Sequence, residues 1–101
     1  MVEASWKGYE FEVCVPVADC NSVPGVYIFC GINAQNRWEA LYLGQAQSFR
    51  DRFSSHEQWD SAARLGATHI HARVIRGENE RDAVEPELIQ ACQPRLNTQL
   101  R

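Results

Sequence analysis

The 101 residues carry 13 acidic side chains against ten lysines and arginines, a net charge of −3 with histidine neutral. That length is expected to hold one domain around one modest core, and the acidic balance argues against a simple charge-driven nucleic-acid binder. With 45% apolar residues and 10% aromatics the composition is that of a globular chain, not a disordered one.

No apolar run reaches the roughly 20 residues of a membrane helix. The opening "MVEASWKGYEFEV" lacks the apolar stretch of a signal peptide, so a soluble, cytoplasmic protein is expected. Cys14, Cys20, Cys30 and Cys92 follow no zinc-site spacing, and reduced thiols are expected. The acidic excess lies in the first 26 residues, where Glu3, Glu10, Glu12 and Asp19 oppose Lys7 alone. Beyond them acids and bases balance. Nine of the ten bases are arginine, the side chain better suited to forked phosphate contacts.

Along the chain, "YEFEVCV" alternates Tyr9, Phe11, Val13 and Val15 against Glu10, Glu12 and Cys14, the pattern of a half-buried strand. "NSVPG" breaks it. Residues 26–30 read as a buried strand and 38–44 as a third, joined through "GINAQNR" as an antiparallel hairpin. Alternation sets Tyr27 opposite Val26 and Ile28, and Tyr42 opposite Leu41 and Leu43, so the two phenols are expected side by side. Gly44 is expected to turn the chain off the strand. Ser48 then caps a helix carrying Phe49, Arg52, Phe53 and His56, and a second short helix or a continuation of the first stops at Gly66.

"THIHARVI" reads as a strand with Ile70, Ala72 and Val74 on one face; His69 and His71 share the other, which suggests an exposed or DNA-facing side but more often carries no function. Asn79 is expected to cap the last helix, striped by Val84, Leu88, Ala91 and Cys92. Pro86 is expected to kink or restart that helix, the second arrangement setting Glu85 at a helix's positive end, and Pro94 to end it. The order β-β-β-α-α-β-α predicts an α+β domain, a small mixed or antiparallel sheet flanked by helices.

"GVY" at 25–27, "YLG" at 42–44, Arg52, Glu85, and Asn97 in "CQPRLN" together resemble the GIY-YIG nuclease superfamily, with spacings like those of its excision-repair branch. The resemblance covers roughly residues 23–97. It implies one nuclease domain over 1–101, residues 1–22 adding an N-terminal strand segment. It also implies a phosphodiester hydrolase using one divalent metal, Mg²⁺ or Mn²⁺, held by Glu85. Arg52 would neutralise the phosphorane, and either Tyr27 or Tyr42 would orient or deprotonate the attacking water. His56 would be an accessory catalytic group. Gly44, Gln45 and Asn97 would stand on the substrate side, Asn97 also tying down the last helix.

Gln45 takes a position that is often lysine in the family, which removes one phosphate-binding charge. The implied partner is duplex or branched DNA, engaged with help from a partner protein or a second copy. The alternative is a non-cleaving domain of the same fold that binds nucleic acid or protein.

Overall fold

The computed structural model describes residues 3–14, 22–53 and 57–99. Its centre is one antiparallel sheet of five strands: β1 (Glu3–Trp6), β2 (Tyr9–Cys14), β3 (Gly25–Ile32), β4 (Trp38–Ala46) and β5 (His69–Val74), in the order β1-β2-β5-β3-β4. The helices are α1 (Phe49–Phe53), α2 (Glu57–Arg64), α3 (Glu78–Cys92) and α4 (Arg95–Gln99). The fold class is α+β, as expected, with every strand pair antiparallel. No helix among the described residues is long and apolar enough to cross a membrane.

The sheet separates two cores. On one face Tyr27, Phe29, Leu41, Phe49, Phe53 and Ile70 bury against α1, α2 and α4. On the other, Phe11, Val26, Ile28 and Leu43 pack on Val84 and Leu88 of α3. Strict alternation of β3 places its odd-numbered side chains on the first face and its even-numbered ones on the second.

β4 breaks that alternation once. Phe29 pairs with Tyr42 but Cys30 pairs with Ala40, leaving Leu41 as the extra residue of a bulge. Leu41 therefore shares a face with Tyr42, contrary to simple alternation, while Ala40 and Trp38 turn to the α3 side.

Three other expectations change. β1 is a strand that the sequence reading left out; it joins β2 through Lys7 and Gly8, both with positive φ, as a tight two-residue hairpin requires. α3 begins at Glu78 behind an extended Gly77 (φ −82°, ψ 127°), whose carbonyl accepts from the Arg81 N–H, so Asn79 lies inside the first turn instead of capping it. Pro86 neither breaks nor restarts α3. A proline inside a helix costs about 3 kcal/mol, but Arg81, Val84 and Leu88 stay on one buried stripe across it. The helix ends at Gln93 (φ 45°), whose N–H donates to the Ile89 carbonyl at 2.8 Å.

Candidate active site

The site forms where the C-terminal half of β4, an edge strand, meets α1, α3 and α4. Tyr27 of β3 is paired with Gly44, and Tyr42 lies diagonally across the hairpin with ring centroids 6.3 Å apart and planes at 37°. Tyr27 is fully buried, its ring edge-on to Phe53 at 4.9 Å; Tyr42 is half-buried.

Gly44 is not a turn residue. β4 continues to Ala46, and a Cβ on Gly44 would stand 2.7 Å from the Tyr27 hydroxyl oxygen and 2.9 Å from its Cζ. The glycine is the floor on which the Tyr27 phenol lies.

Ser48 caps α1, accepting from the Asp51 N–H through Oγ at 3.4 Å and from the Arg52 N–H through its carbonyl at 3.0 Å. That first turn aims Arg52 back at the sheet, near enough to the Tyr27 hydroxyl for its charge to oppose the rise in that phenol's titration. Its guanidinium also forks onto Glu57, with Nη1 and Nη2 each 3.2 Å from a carboxylate oxygen. The sequence reading missed Glu57. His56 lies outside the described residues.

Glu85 sits mid-helix in α3, half-buried, with no helix N-terminus beside it, so the expected support from a helix end is absent. Its Oε1 accepts from the Gln45 amide at 3.1 Å, and the same amide nitrogen donates to Asp82 at 3.0 Å. Gln45 is thus the bridge from β4 to α3. Arg81, 5% exposed, donates from Nε to the Gln45 carbonyl at 3.3 Å and from Nη1 to the Ile75 and Arg76 carbonyls at 3.0 and 3.1 Å. Arg81 also escaped the sequence reading, though its place three before Val84 and seven before Leu88 puts it on the buried stripe.

Asn97 of α4 spends its amide on β4. Its Oδ1 accepts from the Leu43 N–H at 2.7 Å and its Nδ2 donates to the Leu43 carbonyl at 2.8 Å. One side chain thereby satisfies both backbone groups that an edge strand turns away from its neighbour. Both amide atoms of Asn97 are thus engaged with the strand.

Burial pushes the Tyr27 phenol well above the ordinary tyrosine value, with Tyr42 adding to the rise and Arg52 opposing it. Tyr42 rises too, through burial first, again opposed by Arg52. The Glu85 carboxylate raises both. Glu57, the partner of Arg52, raises Tyr42 as well, so two phenols, one guanidinium and two carboxylates share one electrostatic field. A groove of about 400 Å³ lined by Gln45, Ala46, Gln47, Ser48, Asp51 and Arg52 runs alongside.

Among the described residues no three His, Cys, Asp or Glu side chains gather as a metal cage. Glu85 has one oxygen held by Gln45, and a site with so few carboxylates suits a hard cation that keeps several of its waters, the habit of Mg²⁺.

Of the two histidines on β5, His71 is buried and His69 half-buried. His71 is fully buried, its Nδ1 accepting from Trp6 Nε1 at 2.9 Å and its ring 4.4 Å from that of Trp38. The expectation of an exposed histidine face fails because β1 and the turned half of β4 cover it.

No family model matches the chain. It is 34% identical over 90 residues to the UvrABC system protein C of Chlamydia trachomatis serovar D, an alignment taking in 82% of this chain and 14% of that protein. The chain thus spans a small part of the length of the curated relative that it matches. Among solved structures it is similar to the GIY-YIG N-terminal endonuclease domain of UvrC from Thermotoga maritima bound to its catalytic divalent cation, magnesium. The TM-score is 0.63 at 25% identity, covering 78% of this chain and 88% of that one. A point mutant of that domain with an asparagine changed to alanine, also bound to its catalytic divalent cation, gives a TM-score of 0.63 at 25% identity over 78% of this chain and 87% of its own.

Proposed function

This chain belongs to the GIY-YIG nuclease superfamily, and we propose that it is a metal-dependent endonuclease that hydrolyses phosphodiester bonds in DNA. The observation that carries this reading is geometric: Tyr27 and Tyr42, Arg52, and Glu85 through Gln45 all stand around the C-terminal half of β4, in a chain similar to a GIY-YIG endonuclease domain. Hydroxyls, a guanidinium and a carboxylate at one corner of the sheet are groups that phosphoryl chemistry uses.

In this reading Glu85 holds one Mg²⁺ or Mn²⁺, whose chemistry when bound is to offset charge on the phosphate and on the leaving oxygen. Arg52 grips the non-bridging phosphate oxygens with a planar fork. Its present partner, Glu57, has a side chain 66% exposed. A surface pair of that kind is worth about 0–1 kcal/mol, so a phosphate competes for the fork. Tyr42 is the phenol with access to solvent, and it orients the attacking water by hydrogen bonding. Tyrosine is ordinarily neutral near pH 7 and burial moves both phenols further from ionising, which favours orientation of the water over outright proton abstraction. His56 is assigned as an accessory group, with Gln45 on the wall of the groove and Gly44 beneath the Tyr27 phenol.

Arg52 and Gln45 are already engaged with carboxylates, and the net charge is negative, so DNA affinity is modest and falls steeply with salt. Targeting then comes from a partner protein or a second copy.

The engagement of Arg52 with Glu57 also favours a second reading, a binding domain that no longer cleaves. Purified protein incubated with supercoiled plasmid and Mn²⁺, beside Glu85→Ala, separates them. The nuclease reading expects nicking by the native protein and a loss of at least about a hundredfold in the variant. Equal nicking by both removes Glu85 from the site. A folded native protein inert on duplex, branched and single-stranded DNA turns the assignment to binding.

A further inference from the structure

The Gln45 amide has one orientation open to it. Arginine offers donors and no acceptor, while carboxylates offer acceptors and no donor. Arg81 on one side therefore fixes the carbonyl oxygen of Gln45 toward itself, and the NH₂ must face Asp82 and Glu85. Arg81 is itself immobilised, nearly fully buried and bonded to two successive carbonyls at the loop that leads into α3. The Ile75 N–H in turn donates to the Pro24 carbonyl just before β3. The chain of contacts runs from the sheet through Arg81 and Gln45 to one oxygen of Glu85, and each link crosses from one element to another.

We propose that Arg81 and Gln45 are positioning residues for the cation: they clamp one Glu85 oxygen so that the other is presented in a single orientation. The proposal rests on the reading of Glu85 as the metal ligand. It gives Gln45 a role different from that of a phosphate-binding cation. A neutral amide here holds two acids on adjacent turns of α3 without supplying a charge that competes with the metal. A hydrogen-bond partner that orients a ligating carboxylate typically contributes 10–100-fold to metal affinity, by sparing the ion the cost of ordering its ligand.

The same arrangement explains why a lysine would sit poorly in this chain. Its ammonium could satisfy Asp82 and Glu85, but it would leave the buried Arg81 Nε facing a donor instead of an acceptor. Gln45 and Arg81 are therefore one unit and should be exchanged together.

The test is Mn²⁺ binding to the free protein, followed by electron paramagnetic resonance of the unbound ion, with thermal unfolding measured in parallel. Native protein, Gln45→Met, Arg81→Met, the double variant and Glu85→Gln are compared. Expected is a roughly tenfold weaker Mn²⁺ affinity in Gln45→Met, with a melting temperature lowered by the loss of the acceptor for Arg81 Nε, and no further loss of affinity in the double variant. Arg81→Met is expected to lose stability as well; if it does not fold, Gln45→Met alone carries the test. Native-like or tighter Mn²⁺ binding by Gln45→Met, with Glu85→Gln defective, overturns the positioning role and leaves the metal site standing. Undiminished binding by Glu85→Gln overturns the metal site itself.

Discussion

The hydroxyl oxygen of Tyr27 lies 2.7 Å from the point where a Cβ on Gly44 would stand. The glycine of "YLG" is thus fixed by the tyrosine of "GVY", through direct contact across the hairpin. Gly44→Ala is expected to push the phenol off its seat and away from Arg52, costing about 1–3 kcal/mol as other overpacked sites do. Cleavage should fall further than stability does. Unfolding in urea and nicking rates measured side by side check this; a stable Gly44→Ala with native activity would show that Tyr27 has room to spare.

Arg52 and Glu57 give opposite expectations for two conservative changes. Arg52→Lys keeps the charge but loses the fork, and should cut kcat by about 10²–10³. Glu57→Gln releases the fork from an exposed partner. It should cost under about 1 kcal/mol of stability and lower KM several-fold at low salt, with kcat little changed. Steady-state kinetics on a short duplex reads both. A raised KM in Glu57→Gln would mean that the carboxylate aims the guanidinium and does not compete for it.

Asn97→Ala removes two short hydrogen bonds to Leu43 and leaves an edge peptide unpaired. The expected loss is about 1–3 kcal/mol. Asn97→Asp should be worse, because it withdraws the donor and sets a carboxylate against the Leu43 carbonyl. Urea midpoints rank the three proteins, and equal midpoints would show that water replaces the amide without cost.

His71 makes stability depend on pH. Burial, with the neighbouring charge of His69 second, lowers its titration to about 4, against about 6.5 for an unfolded chain. Above about pH 6.5 both states are neutral and His71 adds no slope. Between about 6.5 and 4 the unfolded chain binds a proton that the folded state refuses, so stability falls, by up to about 3 kcal/mol across the window. Urea titrations of native protein and His71→Phe across that range should diverge, the variant losing less. Parallel curves would mean that the imidazole takes up its proton while still folded.

Much of the sheet was legible because β3, β4 and β5 announce themselves by period and by breakers, and because Tyr27, Tyr42, Arg52 and Glu85 fall at family spacings. The structure brings those four to one corner. The side chains that hold them escaped, for a physical reason. Gln45 meets Glu85 across 40 positions and Arg81 across 36, and such contacts leave no local periodicity. Glu57 is close in sequence to Arg52, yet an exposed acid beginning a helix looks like dipole compensation. Gly44 misled because a glycine at the end of an apolar run usually marks a turn, whereas here it makes room for a ring. Pro86 misled because local cost was set against no knowledge of the stripe that α3 buries on both sides of it.

The bulge at Leu41 has a consequence for how this fold tolerates change. β4 is in effect two strands spliced end to end: residues 42–46 take their register from the pairing of Gly25 to Phe29, and residues 38–40 from that of Cys30 to Ile32. A residue inserted into or deleted from the loop around Asn33 to Arg37 can be absorbed at the splice, shifting Trp38 and Ala40 while the tyrosine-bearing half stays in frame. The hairpin tip can thus change length with the tyrosine-bearing half of β4 buffered by a single unpaired leucine.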